Sequence, residues 1–212
     1  MIVKFIDLKM AIDKASVYLP YNFVLKSLIS SGKIEKLSNA RVTSESKFKY
    51  IGNDLNGDIV STRKPYYVVA VTNYNMPTEW LSFNETIFDL AMQAKDEISF
   101  YFPYYDLSAV KYFSDFADIK TKKHITLYPP WSGKYVEEAN KAVTEFKKLG
   151  FTCTFSKTGN HEKAYIFDKK AAIIGSFNFT GRAIYRNNEL GVLFFGSEVA
   201  TLEKFLERKN TD

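Results

Sequence analysis

One cysteine and two histidines are all that this chain offers to chemistries built on sulfur or imidazole clusters. With Cys153 alone no internal disulfide can form; a reducing compartment is expected, and Cys153 reads as a small buried hydrophobe on a strand. Neither His124 nor His161 lies near Cys153 at a zinc-ligand spacing, so no metal and no cofactor are expected. No window approaches 18 uninterrupted apolar residues, and the opening MIVKFIDLKM carries a charge every few residues. These absences argue against a spanning helix, a signal peptide and a membrane partner, and a soluble cytoplasmic protein is the expectation. Repeats, linkers and low-complexity stretches are also missing.

What is present is a chain of 212 residues, 46% hydrophobic, enough to bury the core of one ordinary domain with a small appendage. Its net charge of +5 is unevenly placed: residues 1–75 hold 11 Lys and Arg against 6 Asp and Glu, while residues 76–212 hold 18 of each. A basic amino-terminal extension over 1–75 and a second domain over 76–212 follow from that division. The excess points to a polyanionic partner, set against the plainer reading of a lysine-rich solvated surface.

Apolar spacing from Asn22, stopped at Ser30-Ser31-Gly32, predicts a helix of about ten residues. Two β-like runs follow, 40–51 and 58–72, joined by Gly52-Asn53-Asp54-Leu55-Asn56-Gly57, and they read as a long hairpin. Arg41, Lys47, Lys49, Arg63 and Lys64, interleaved with Tyr50, Tyr66 and Tyr67, make this hairpin a candidate nucleic-acid contact, either a winged-helix remnant or a gripping flap. Two added strands of the main sheet are the structural alternative.

Beyond Met76 helices and strands alternate. A helix capped by Thr78 or Ser82 runs to Ala94, a strand covers 97–105, a helix 107–116 and a strand 123–128. A helix over 134–149, stopped by Gly150, precedes a strand over 151–156, and a strand from Glu189 and a helix from Val199 close the chain. The pattern predicts an α/β fold, a mixed sheet flanked by helices. The aromatic run Tyr101-Phe102-Pro103-Tyr104-Tyr105 falls at the end of one of its strands, where it packs, stacks bases or lines a pocket.

The chemistry is concentrated in HEKAYIFDKKAAIIGSFNFTGRAIYRNNE, residues 161–189, which contain HxK(x)4D(x)6GSxN. His161 and Lys163, two apart on an extended segment, share a face and can grip one anion. Residues 164–167 and 171–174 are continuously apolar around Asp168-Lys169-Lys170, which predicts a buried hairpin. Asn178 is expected in the first turn of a helix over 177–185, whose free N–H groups would favour phosphate. A neutral imidazole attacks phosphorus and a charged one protonates a leaving alkoxide. Lys163 supplies charge, Ser176 and Asn178 neutral donors, and Glu189 an acceptor to fix the His161 tautomer. Asp168 is a candidate catalytic carboxylate or, beside Lys169, a turn-stabilising acceptor.

These residues resemble the HKD signature of the phospholipase D superfamily, in full over 161–178 and loosely to Glu189; the order of elements from about residue 76 also looks like one repeat of that fold. Residues 1–75 carry no such resemblance. The resemblance implies a ping-pong route in which one motif's histidine becomes a phosphohistidine and a second motif's histidine protonates the leaving group. It also implies phosphate contacts for Lys163 and Asn178, with Ser176 close by. His124 lacks a lysine two residues on, so the chain holds one motif and a homodimer with a composite site is expected. Small single-motif members are mostly metal-independent nucleases, which agrees with the basic extension and makes nucleic acid the expected partner. A phospholipid or other phosphodiester is the alternative substrate, and a catalytically silent nucleic-acid-binding protein is the alternative of a different class.

Overall fold

The computed structural model describes residues 1–14, 20–37, 45–61, 68–72, 80–129, 135–157 and 161–211. Two compact units divide the chain, Met1–Pro65 and Tyr66–Asp212.

The first unit contains β1 (Ile2–Lys4), α1 (Phe5–Lys14), α2 (Tyr21–Ser30), β2 (Ile34–Lys36), β3 (Lys47–Tyr50) and α3 (Leu55–Ser61). Its three strands form an antiparallel sheet in the order β1-β3-β2. The helix predicted from Asn22 is α2, whose buried Phe23, Val24, Leu25 and Leu28 join Leu8 and Ile12 of α1 in the core. In β3 the alternation sends Phe48 and Tyr50 inward and Lys47 and Lys49 outward.

The long hairpin expected over 40–72 is not what forms. Residues 55–61 are helical, with the Asp58 N–H bonded to the Asp54 carbonyl at 2.9 Å and Ile59 fully buried. Asp58 also accepts a 2.5 Å hydrogen bond from the Tyr50 hydroxyl and lies 3.4 Å from Lys33. The Asn- and Gly-rich segment thus supplies a turn and a helix start, and long-range polar contacts decide against a returning strand.

The second unit begins with β4 (Val68–Thr72), on the amino-terminal side of the boundary expected at residue 75, and β5 (Leu81–Ser82). Next come α4 (Phe83–Gln93), β6 (Glu97–Phe102), α5 (Leu107–Tyr112), a 3₁₀ turn (Ser114–Asp118), β7 (Lys122–Leu127), α6 (Tyr135–Lys148) and β8 (Phe151–Phe155). The hairpin β9 (Ala164–Phe167) and β10 (Ala171–Gly175), α7 (Gly181–Tyr185), β11 (Leu190–Phe195) and α8 (Glu198–Thr211) complete it. The eight strands are ordered β5-β4-β11-β10-β9-β6-β7-β8. The pairs β4/β5, β6/β7 and β7/β8 are parallel and the rest antiparallel, so the predicted mixed sheet flanked by helices is the fold.

The two faces of this sheet differ. Phe100 and Phe102 of β6 and Tyr165 and Phe167 of β9 point into an aromatic layer with Phe83, Phe113, Phe116, Phe146, Phe177 and Phe179. The opposite face is small: Ala164, Ile166 and Ala172, with Tyr101, receive Val199 and Leu206 of α8. Strand β9 is buried on both faces, which explains its unbroken apolar run. Each fully buried Phe contributes about 2–3 kcal/mol of transfer free energy, so the aromatic layer anchors the strands that carry the motif.

Candidate active site

His161, Lys163, Ser176 and Glu189 lie where β9 begins, β10 and β6 end and β11 begins. His161 and Lys163 precede β9, and the side chains meet: Lys163 Nζ lies 3.1 Å from His161 Nδ1 and donates to the His161 carbonyl at 2.9 Å. The shared face expected from their spacing is realised. His161 is exposed, its backbone N–H donates to the Glu162 carboxylate at 3.0 Å, and its ring meets Tyr104 edge-on with centroids 5.9 Å apart. Burial pushes the Lys163 ammonium below the ordinary lysine range, and Glu189 and Glu162 partly oppose that shift.

Glu189 is 7% exposed just before β11. Its carboxylate accepts hydrogen bonds from the Ser176 hydroxyl and, at 2.9 Å, from the Asn187 amide. Ser176 Oγ also accepts from the Leu190 N–H at 3.1 Å. The expectation for Ser176 was a free donor to phosphate; here its hydroxyl ties β10 to β11 and holds the carboxylate. That closeness depends on Gly175 and Gly191, which face each other across β10 and β11. A Cβ on Gly175 would sit 2.5 Å from the Gly191 Cα and 2.5 Å from the Leu190 carbonyl oxygen. Only glycine lets the strands approach this closely.

The helix expected to open at Phe177 begins at Gly181 instead. Phe177 and Phe179 alternate into the aromatic core as an extended segment, with Tyr105 bridged to Phe179. Thr180 caps α7 by accepting from the Ala183 N–H at 3.2 Å, and the Gly181 N–H is taken at 3.0 Å by Asp106, so neither of these groups is free for phosphate. Asn178 therefore reaches the site from an extended backbone. Its Oδ1 is buried with no hydrogen-bond partner among the described residues.

Asp168 is elsewhere and does different work. It lies at the turn end of the hairpin, five residues from Lys163 along an extended strand and so about 17 Å away. Its carboxylate accepts from the N–H groups of Lys95 and Asp96 at 2.8 Å and of Glu97 at 2.9 Å. With Asp168 and Lys169 at φ 51° and 55°, the turn has the positive-φ pair of a type I′ hairpin. The carboxylate is an acceptor for three backbone N–H groups, as in the turn-stabilising alternative read from the sequence.

Among the remaining candidates, Lys47 and Lys49 are exposed on β3, Lys49 at 3.5 Å from Glu35. Arg41, Arg63 and Lys64, like Tyr66 and Tyr67, lie outside the described residues. Tyr50 is buried and bonded to Asp58, which removes it as a base-stacking side chain. His124 is exposed within β7, paired with Ser99 and Thr152, and joins no second motif in this chain. Sequence reasoning missed Asn187, Gly191 and Asp106; the cue for Gly191 was a glycine interrupting an apolar strand. Among the described residues no three His, Cys, Asp or Glu side chains converge on a metal position, and no helix is long and apolar enough to cross a membrane.

The family described as "Cardiolipin synthase, PLD-like domain" matches residues 87–209. No curated protein sequence matches the chain. Among solved structures the chain is similar to the phospholipase D family member Nuc from Salmonella typhimurium, with a TM-score of 0.53 at 19% identity over 68% of this chain and 91% of that one. NucT from Helicobacter pylori gives a TM-score of 0.49 at 14% identity over 68% and 95% of the two chains. Phosphatidylserine synthase from Haemophilus influenzae gives 0.49 at 15% identity over 82% of this chain and 47% of that one. With the family match spanning more than half of the sequence, the chain belongs to the phospholipase D superfamily.

Proposed function

We propose that the protein is a metal-independent nuclease that cleaves DNA or RNA through a phosphohistidine, in a composite site to which two copies of the chain each contribute one motif. The observation that carries this reading is the contact of His161 with Lys163, a nucleophile and a cation at one point. Small single-motif members of the superfamily act on nucleic acid, and the excess of 5 positive charges lies entirely in residues 1–65.

The contact also states a protonation pattern. A charged ammonium only donates, so in this contact Nδ1 of His161 accepts and the neutral ring carries its proton on Nε2. A substrate phosphate draws Lys163 away, Nδ1 then carries the proton toward Glu189, and Nε2 becomes a nucleophile. In the two-copy site one His161 Nε2 attacks phosphorus, forming an N–P bond, while the bond from phosphorus to the leaving oxygen breaks. His161 of the second copy, as a charged imidazolium, gives its Nε2 proton to that oxygen, and as the resulting neutral ring takes a proton from the water that cleaves the N–P bond. Lys163 and the amide of Asn178 stabilise charge on the non-bridging oxygens.

A phospholipid substrate is the second reading, favoured by the description of the matching family and by the exposed Tyr104 at His161. The deciding experiment runs nucleic-acid cleavage in excess EDTA beside phosphatidylcholine hydrolysis, with His161→Ala as control. EDTA-resistant cleavage of DNA or RNA, lost in the variant, is expected. Lipid hydrolysis without nuclease activity selects the second reading, and a strict requirement for added metal overturns the mechanism.

A further inference from the structure

The short helix α7, between Asn178 and Glu189 in sequence, carries Arg182 and Tyr185 and is capped at its C-terminus by Arg186, four residues after Arg182. Both arginines are exposed and neither has an ion-pair partner among the described residues. From Ser176 to Asn188 there is no acidic residue. Together with Asp106, Ser108, Gly181 and Tyr185, the two arginines line a groove of about 450 Å³. Tyr185 is 62% exposed, and its ring is steadied edge-on by Tyr112 at 5.4 Å.

The one carboxylate in this groove is committed to the backbone. Asp106 accepts from the Gly181 N–H with both oxygens at 3.0 Å and from the Ala109 N–H at 2.9 Å. It fastens α7 to the start of α5. A Cβ on Gly181 would meet Ser108 Cβ at 2.8 Å, so glycine is required for this seating. The arginines thus project from a fixed platform. Arg182 is four residues from Asn178, within about 14 Å even for a fully extended chain, which is the reach of a neighbouring nucleotide.

We propose that this groove binds the nucleic-acid strand beside the scissile phosphate, with Arg182 and Arg186 on flanking phosphates and Tyr185 against a base. Guanidinium groups grip phosphate through paired N–H donors, and an exposed aromatic ring accepts any base face. A phospholipid with a single diester has no second phosphate to place on α7. The proposal rests on the nuclease reading and names how that site selects a polymer.

The test compares a short single-stranded oligonucleotide with bis(p-nitrophenyl) phosphate, a diester without neighbours, using the full-length protein. In Arg182→Ala/Arg186→Ala the ratio of kcat/KM for oligonucleotide to that for the small diester is expected to fall about tenfold or more, chiefly through KM. The logarithmic salt dependence of oligonucleotide binding should become shallower by about 1.4, at about 0.7 per lost phosphate contact. Arg182→Lys/Arg186→Lys should recover part of both, and Tyr185→Ala should lower the same ratio without changing the salt dependence. A ratio within about twofold of the wild type, or an unchanged salt dependence, overturns the groove while leaving the nuclease reading standing. Wild-type cleavage of the small diester with no cleavage of nucleic acid overturns both.

Discussion

At its turn end the β9–β10 hairpin presents Asp168, whose carboxylate takes three backbone N–H groups and is 6% exposed. At its open end stands an exposed His161 bonded to a half-buried lysine. Both ends belong to one sequence motif, yet one is saturated and the other is left incomplete. Saturated polar groups hold a backbone in place; incomplete ones have bonding capacity for a substrate. The motif therefore couples a structural clamp to a chemical site across about 17 Å of strand.

The largest effect that separates the two ends is on activity. His161→Ala should lower cleavage by about 10⁴-fold while changing the unfolding free energy by less than about 0.5 kcal/mol, because the side chain is exposed. Parallel rate and denaturation measurements check it, and a large loss of stability would erase the distinction. Asp168→Ala should do the reverse. Orphaning its N–H partners costs about 2–3 kcal/mol of stability, with Asp168→Asn intermediate, while kcat of the folded fraction stays close to wild type.

A subtler division concerns pH. Lys163 works as a cation and burial lowers its pKa, so activity should fall with rising pH at a midpoint below the ordinary lysine range. Glu189 raises the Lys163 pKa, so Glu189→Gln should move that limb lower still; a shift upward would break the assignment.

The smallest effect guards against reading every incomplete group as functional. Glu203 on α8 is 1% exposed and neither carboxylate oxygen has a hydrogen bond among the described residues, although Lys169 approaches to 3.7 Å. Burial raises its pKa, with Glu97 and Glu207 adding to the shift and Ser99 and Lys169 opposing it. The folded state therefore holds this proton more tightly than the unfolded chain, and stability declines as pH rises from the ordinary carboxylate range through the raised value. Glu203→Gln should stabilise the protein by about 1 kcal/mol at neutral pH, a gain that vanishes in acid, with activity unchanged.

Much of the second unit was legible because burial follows periodicity. The two-sided apolar run of β9, the Ser82 cap of α4 and the amphipathic α6 ending before Gly150 are local signals, and each element forms close to its expected bounds. The misreadings share a cause. Residues 177–180 look helical by composition, but Phe177 and Phe179 are drawn as an alternating pair into a core made by distant strands. Residues 52–57 look like a turn and residues from 58 like a returning arm, but 55–61 are helical and Asp58 finds Tyr50 and Lys33.

The sequence by itself determined the histidine–lysine pair, since two residues at the start of a strand meet whatever surrounds them. It also determined that the chain carries one motif and that its positive excess is amino-terminal. Only the tertiary structure decided what Asp168 and Glu189 do. The partners of Asp168 lie 71 to 73 residues upstream, and Glu189 reaches Ser176 because two glycines let β10 and β11 close together. A side chain's face is encoded locally by the backbone repeat, whereas the partner of a polar group depends on which distant strands pair, and no short stretch of sequence carries that.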